Sequence, residues 1–205
     1  MRVWVYVDGF NLYFGALKGT PYRWLDLGKL CDLLLSSHRV EGIRYFTAMV
    51  SARAGKPGKE IRQRKYVEAI QTDPRVSVHL GHYLTSIRQA KNANPPPPSV
   101  SYVHVEEKGS DVNLASYLLL DAFDRRYEMG VVISNDSDLV EPIRLVRQEF
   151  KVPVGVFHPH TTPSSALRKA ASWMRPIRGG PLGAARFPPV LEVGNKKRLR
   201  KPKKW

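Results

Sequence analysis

The stretch VVISNDSDLV, Val131 to Val140, decides how this chain is read. Val131, Val132, Ile133 and Ser134 suit a buried strand, and so continuous an apolar run belongs to a mainly parallel sheet covered on both faces. Asn135, Asp136, Ser137 and Asp138 follow without a spacer, and Leu139, Ile143, Val146 and Phe150 then recur at helical spacing. The chain thus leaves its own core through two carboxylates set between a strand and a helix.

The same pattern extends in both directions. Strands are expected at Val3–Val7, Ile43–Val50, Val76–Leu80, Tyr102–Val105, Val131–Ser134 and Val154–Phe157, and helices at Asp26–Ser36, Lys59–Thr72, Ser110–Arg126, Ser137–Phe150 and Ser164–Trp173. Ala115, Leu118, Leu119 and Ala122 give the third helix its apolar stripe. Alternation of this kind means an α/β layered fold. Two segments depart from it. TSIRQAKNANPPPPSV, Thr85 to Val100, contains four consecutive prolines and is expected to be an exposed loop rather than a helix or central strand. RGGPLGAARFPP, after Pro176, is expected to cross the surface irregularly, which divides the chain into a domain over 1–176 and a Gly/Pro-rich, basic extension over 177–205.

In an open parallel sheet, functional groups gather beyond the C-terminal strand ends, and right-handed crossovers bring those ends to one edge. VWVYV runs into Asp8, Gly9, Phe10 and Asn11, VVIS runs into Asp136 and Asp138, and EEKGSDVNLA places Asp111 at a helix start. Any single one of the helix-start acids would be explained by capping. Capping leaves the coincidence of three clusters unexplained, above all Asp8. Carboxylates sharing a cleft repel, and a divalent cation removes the conflict; Mg²⁺ takes carboxylate and water oxygens and bridges to phosphates. Asp8, Asp111, Asp136 and Asp138 are therefore the candidate metal and catalytic acids, for phosphoester chemistry.

Charge points the same way. The chain of 205 residues carries a net charge of +15, with a pI near 10.1, which favours a polyanionic partner such as nucleic acid. NKKRLRKPKKW at the end contributes seven Lys and Arg and no acid, and SARAGKPGKEIRQRK concentrates Arg53, Lys56, Lys59, Arg62, Arg64 and Lys65 against Glu60 alone. These six, with Lys108, are candidate backbone contacts, although Arg62, Arg64 and Lys65 also suit the wet face of a helix. Lys108 precedes Asp111 by three residues and would touch phosphate or neutralise the acids. Among the aromatics, Phe10 and Phe14 are expected in the core, and Tyr13 or Trp24 stacking on bases. The histidines, including the HPH of His158–His160, are dispersed and read as loop or strand-end residues. A single cysteine, Cys31, on the apolar side of LDLGKLCDLLLSS, excludes an intramolecular disulfide and a Cys-rich zinc site. No apolar run is long enough for a membrane span and none suits a secretory signal, so the expectation is a cytoplasmic protein with no membrane partner. Self-pairing into a homodimer is left open.

VYVDGFNLYFGAL, EKGSDVNLASYLLLDAF and VVISNDSDLVEPIRLV together resemble the NYN domain family, PIN-like nucleases of Rossmann-like α/β type, and SVHLGHYL, PVGVFHPH and FPPVLE…KPKKW resemble a bacterial branch of it. The resemblance implies a three-layer sandwich and a Mg²⁺- or Mn²⁺-dependent ribonuclease, endonucleolytic on single-stranded RNA and leaving a 5′-phosphate. It implies direct or water-mediated metal binding by Asp8 of D-G-x-N, Asp111 of K-G-x-D and Asp136 of S-N-D-S-D. Asp138 is either a ligand or a helix-start residue, and Asn11 positions substrate or a metal-bound water. Many relatives carry an acid or histidine where this chain has Tyr117, which weakens a second metal position, and Asp121, one turn on, is expected off that strip. The competing readings are a nucleic-acid-binding module with a residual metal pocket and a DNA nuclease of the flap type.

Overall fold

The computed structural model describes residues 1–50, 58–193, 197–203 and 205. Its first strand, β1 (Arg2–Asp8), shows how the layers arise. Val3, Val5 and Val7 enter one apolar core, while Tyr6, with Trp4 packed beside it, enters the other, because side chains alternate across a strand. The helix α1 (Gly9–Leu12) follows at once and winds into a π-helical turn over Tyr13–Leu17. Then come α2 (Leu27–Leu34), β2 (Arg39–Ala48), α3 (Lys59–Ile70), β3 (Val76–Lys91), β4 (Ser99–Lys108), α4 (Ser110–Phe123) and β5 (Met129–Ile133). A 3₁₀ turn at Ser137–Leu139 leads into α5 (Val140–Glu149), followed by β6 (Val154–His158), α6 (Ser165–Ala170), β7 (Trp173–Pro176), α7 (Gly179–Ala184), β8 (Val190–Val193) and β9 (Lys197–Arg200).

Seven strands form one sheet in the order β4-β3-β2-β1-β5-β6-β7, parallel throughout except for the β3–β4 pair. Helices cover both faces, giving the expected PIN-like three-layer α/β sandwich. One core holds residues of α2 and α3, the other residues of α4 and α5. The chain moves outward through β2 on one side of β1 and through β5 on the other, so a crevice opens beyond the C-terminal ends of β1 and β5. Asp8 and Asp136 flank that crevice.

Three expectations fail. Thr85–Lys91 and Ser99–Val100 are strand, not loop: β3 and β4 continue as a long antiparallel hairpin, paired from His82↔Lys108 to Lys91↔Ser99. The two strands satisfy each other's backbone groups without needing burial, and the prolines sit at the tip, where no ladder N–H is required. Residues after Pro176 are not irregular: Leu182 and Ala185, in and just after α7, and Leu199 of β9 join the core under α2 and α3, and Trp24 Nε1 donates to Pro188 O at 2.9 Å. Helix Ser164–Trp173 stops early, because Trp173 opens β7 beside Gly155 of β6.

Candidate functional site

Asp8 is the last residue of β1 and the N-cap of α1, accepting from Asn11 N at 2.9 Å, while Ser134 Oγ donates to its second oxygen at 2.9 Å. The residue after it must be glycine. A Cβ on Gly9 would lie 2.7 Å from Phe46 O and from the Tyr45 ring, so only glycine allows α1 to start so close to β2. Asn11 Oδ1 accepts from Asn135 N at 3.1 Å, which ties this turn to the loop leaving β5. Ser134 Oγ also accepts from Asp136 N at 3.1 Å, and Asp136 in turn caps the 3₁₀ turn by accepting from Asp138 N at 3.0 Å. One hydrogen-bonded chain therefore sets Asp8, Asn11 and Asp136 relative to one another.

Asp111 arrives by a different route. Gly109 caps α4 with a left-handed φ of +95°, a conformation that favours glycine, and Glu107 accepts from both Ser110 N and Ser110 Oγ, at 3.1 and 2.8 Å. The K-G-x-D motif thus turns the chain sharply from β4 and presents Asp111 in the first turn of α4. Asp8, Asn11, Glu107, Asp111 and Asp136 all line one cavity of about 700 Å³.

The electrostatics record their proximity. The Asp111 carboxyl is pushed up to about 6, by burial first and then by the charges of Asp8, Asp136, Glu107 and Asp138. Burial also raises Asp8, against the pull of its Asn11 and Ser134 hydrogen bonds. All the donors are oxygens, as a hard divalent cation prefers, and the mutual repulsion of the acids is what such a cation relieves. Among the described residues no three His, Cys, Asp or Glu side chains stand as a preformed ion cage. Oxygen donors spaced widely enough to leave room for water are the kind that Mg²⁺ or Mn²⁺ takes.

The other expected site residues divide. Lys59, Arg62 and Tyr13 line the same cavity as the acids. Arg64 and Lys65 lie exposed on α3 away from the cavity wall, and Arg53 and Lys56 fall outside the described residues. Lys108 Nζ lies 3.4 Å from Glu106 rather than on Asp111. Asp138 is exposed and not part of the wall, as a helix-start residue would be. Trp24 is 1% exposed and cannot stack on a base, whereas Phe14, expected in the core, is 57% exposed. Asp121 does share a face with Tyr117: both meet Arg44, which donates to Asp121 at 2.7 and 2.9 Å and lies 4.3 Å from the Tyr117 ring. The i, i+4 spacing of the two positions carried that signal. Sequence reasoning passed over Ser134 as the link between the acids, and Glu107, which EEKGSD did display. It also passed over Tyr66 and Trp205 as cavity walls, a matter of tertiary packing alone.

An acid-lined cleft at the switch point of a PIN-like sheet defines the class, and comparison with known proteins places the chain within it. Residues 2–177 match the NYN domain, and the protein belongs to that family. It is similar to 6-hydroxy-3-succinoylpyridine 3-monooxygenase HspA of Pseudomonas putida, with 30% identity over 237 residues, covering 100% of this chain and 75% of that protein. It also resembles the crystal structure of a Vibrio parahaemolyticus protein of unknown function, at a TM-score of 0.59 and 17% identity over 87% of this chain and 93% of that one. Family membership makes this a nuclease-like fold. Among the described residues no helix is long and apolar enough to cross a membrane.

Proposed function

We propose that this protein is a divalent-cation-dependent ribonuclease that cuts single-stranded RNA internally. The observation that carries the reading is the meeting of Asp8, Asp111 and Asp136 in one cavity that also contains Lys59 and Arg62. Asp8, Asp111 and Asp136 would hold the ion, with Glu107 beside them. A bound Mg²⁺ or Mn²⁺ supplies an activated water and offsets the negative charge that develops on phosphate. The remaining work falls to the chain itself. Lys59 and Arg62 take the phosphodiester backbone by charge. Asn11 and Ser134 fix the relative positions of the two strand-end acids, so that little reorganisation is needed when substrate docks. The test is cleavage of labelled single-stranded RNA, beside a DNA strand of the same sequence, with Mg²⁺, with Mn²⁺ and with chelator. Chelator-sensitive RNA cutting that disappears in Asp8→Asn and Asp136→Asn is expected. Binding without cutting would favour a nucleic-acid-binding module, and DNA cutting alone a flap-type enzyme.

A second reading has its own support in the likeness to HspA along the whole chain and in the ring-lined part of the cavity. On that reading the site takes a small pyridine acid. Oxygen uptake dependent on 6-hydroxy-3-succinoylpyridine and a reductant, in the absence of RNA cleavage, would replace the ribonuclease reading.

A further inference from the structure

The cavity extends well beyond the acids. Tyr45, Tyr66 and Trp205 form a run of rings leading away from Asp8, with centroids 6.2 Å apart between Tyr45 and Tyr66 and 5.7 Å between Tyr66 and Trp205. Trp205 is held there by Trp24, 6.2 Å away, and by the backbone bond from its N to Pro202 O at 3.0 Å. A volume of about 700 Å³ lies within the ordinary range of small-ligand sites and is more than an ion and its waters require. Within this wall one polar group stands out. Tyr66 is 5% exposed, and its hydroxyl meets no hydrogen-bond partner among the described residues. That hydroxyl is sealed from solvent, so the part of Tyr66 that the cavity meets is its ring.

We infer that the ring-lined end of this cavity, bounded by Tyr45, Tyr66 and Trp205, receives one unpaired nucleobase, presenting the adjoining phosphodiester to the acids. Planar rings stack on any base, and Lys59 and Arg62 line the same cavity and carry the charge that flanking phosphates need. A duplex cannot offer a base to such a cavity, which gives the preference for single strands a structural cause. The inference rests on the nucleic-acid reading above.

Calorimetric titration in the presence of chelator reads this pocket independently of cleavage. The probes are adenosine and uridine 5′-monophosphate, ribose 5-phosphate as the baseless control, and 6-hydroxy-3-succinoylpyridine. The nucleotides should bind roughly 5- to 150-fold more tightly than ribose 5-phosphate, the range of one base–aromatic stack. Trp205→Ala should abolish that preference, and Tyr66→Phe, which keeps the ring and removes only the sealed hydroxyl, should leave it unchanged. Equal affinity for nucleotide and ribose phosphate, no binding of either, a preference that survives Trp205→Ala, or binding of the pyridine acid alone would each overturn the inference. RNA cleavage that persists alongside such a result would leave the ribonuclease reading standing, and nucleotide binding without cleavage would do the reverse.

Discussion

Two carboxylates, Asp121 and Asp8, are almost equally withdrawn from water, at 0% and 3% exposure, and the molecule treats them in opposite ways. Asp121 lies under the sheet between α4 and β2. It accepts from Arg44 Nε and Nη2 at 2.7 and 2.9 Å and from Tyr6 OH at 2.7 Å, with Arg126 Nε 3.5 Å away. Arg44 is itself enclosed by the Trp4 and Tyr117 rings, at 4.9 and 4.3 Å. Asp8 is met by Asn11 and by the Ser134 hydroxyl, forms no ion pair with any described residue, and faces further acids. A buried acid with its cation in place is architecture. On the proposed reading, a buried acid without one, grouped with others at a strand end, takes a cation from outside, and function concentrates where such electrostatic cost is tolerated.

The contrast makes graded predictions. Asp121→Ala leaves Arg44 as a buried unpaired charge and Tyr6 without its acceptor, and should lower stability by about 3–5 kcal/mol in urea denaturation. A loss below 1 kcal/mol would mean that the pair is solvated and the contrast false. Asp8→Asn should do the converse, leaving the urea midpoint nearly unchanged while cutting metal-dependent RNA cleavage on the order of 100-fold or more. Gly9→Ala drives a methyl into Phe46 O and the Tyr45 ring, and should destabilise by about 1–3 kcal/mol while disturbing Asp8. The smallest effect concerns Asp111. Its folded value of about 6 lies above the ordinary 3.8, so the folded chain holds that proton more tightly than the unfolded one. The stability this contributes is present below about pH 4 and is lost as pH rises through 6. In chelator, Asp111→Asn should therefore gain on the wild type more at pH 7.5 than at pH 4.5. An equal difference at both pH values would remove the repulsion argument from the site.

Chain order and residue chemistry already carried the parallel α/β sandwich and the gathering of Asp8, Asp111 and Asp136, because short apolar strands, helical stripes and the acids between them are local features. Topology rules then put Asp8 and Asp136 on one edge of the sheet, whereas Asp111 reaches that edge because β4 runs back antiparallel from the hairpin. What local pattern could not carry was anything fixed by partners distant along the chain. The hairpin of β3 and β4 reads as loop until each strand meets the other. Asp121 is an ordinary helix acid until Arg44, Tyr6 and Arg126 enclose it. Trp205, at the end of a basic stretch whose charge pointed to a polyanionic partner, becomes a cavity wall only because Trp24 and Tyr66 receive it. Burial and hydrogen-bond satisfaction are properties of assembled surfaces, so those assignments belong to the tertiary structure alone.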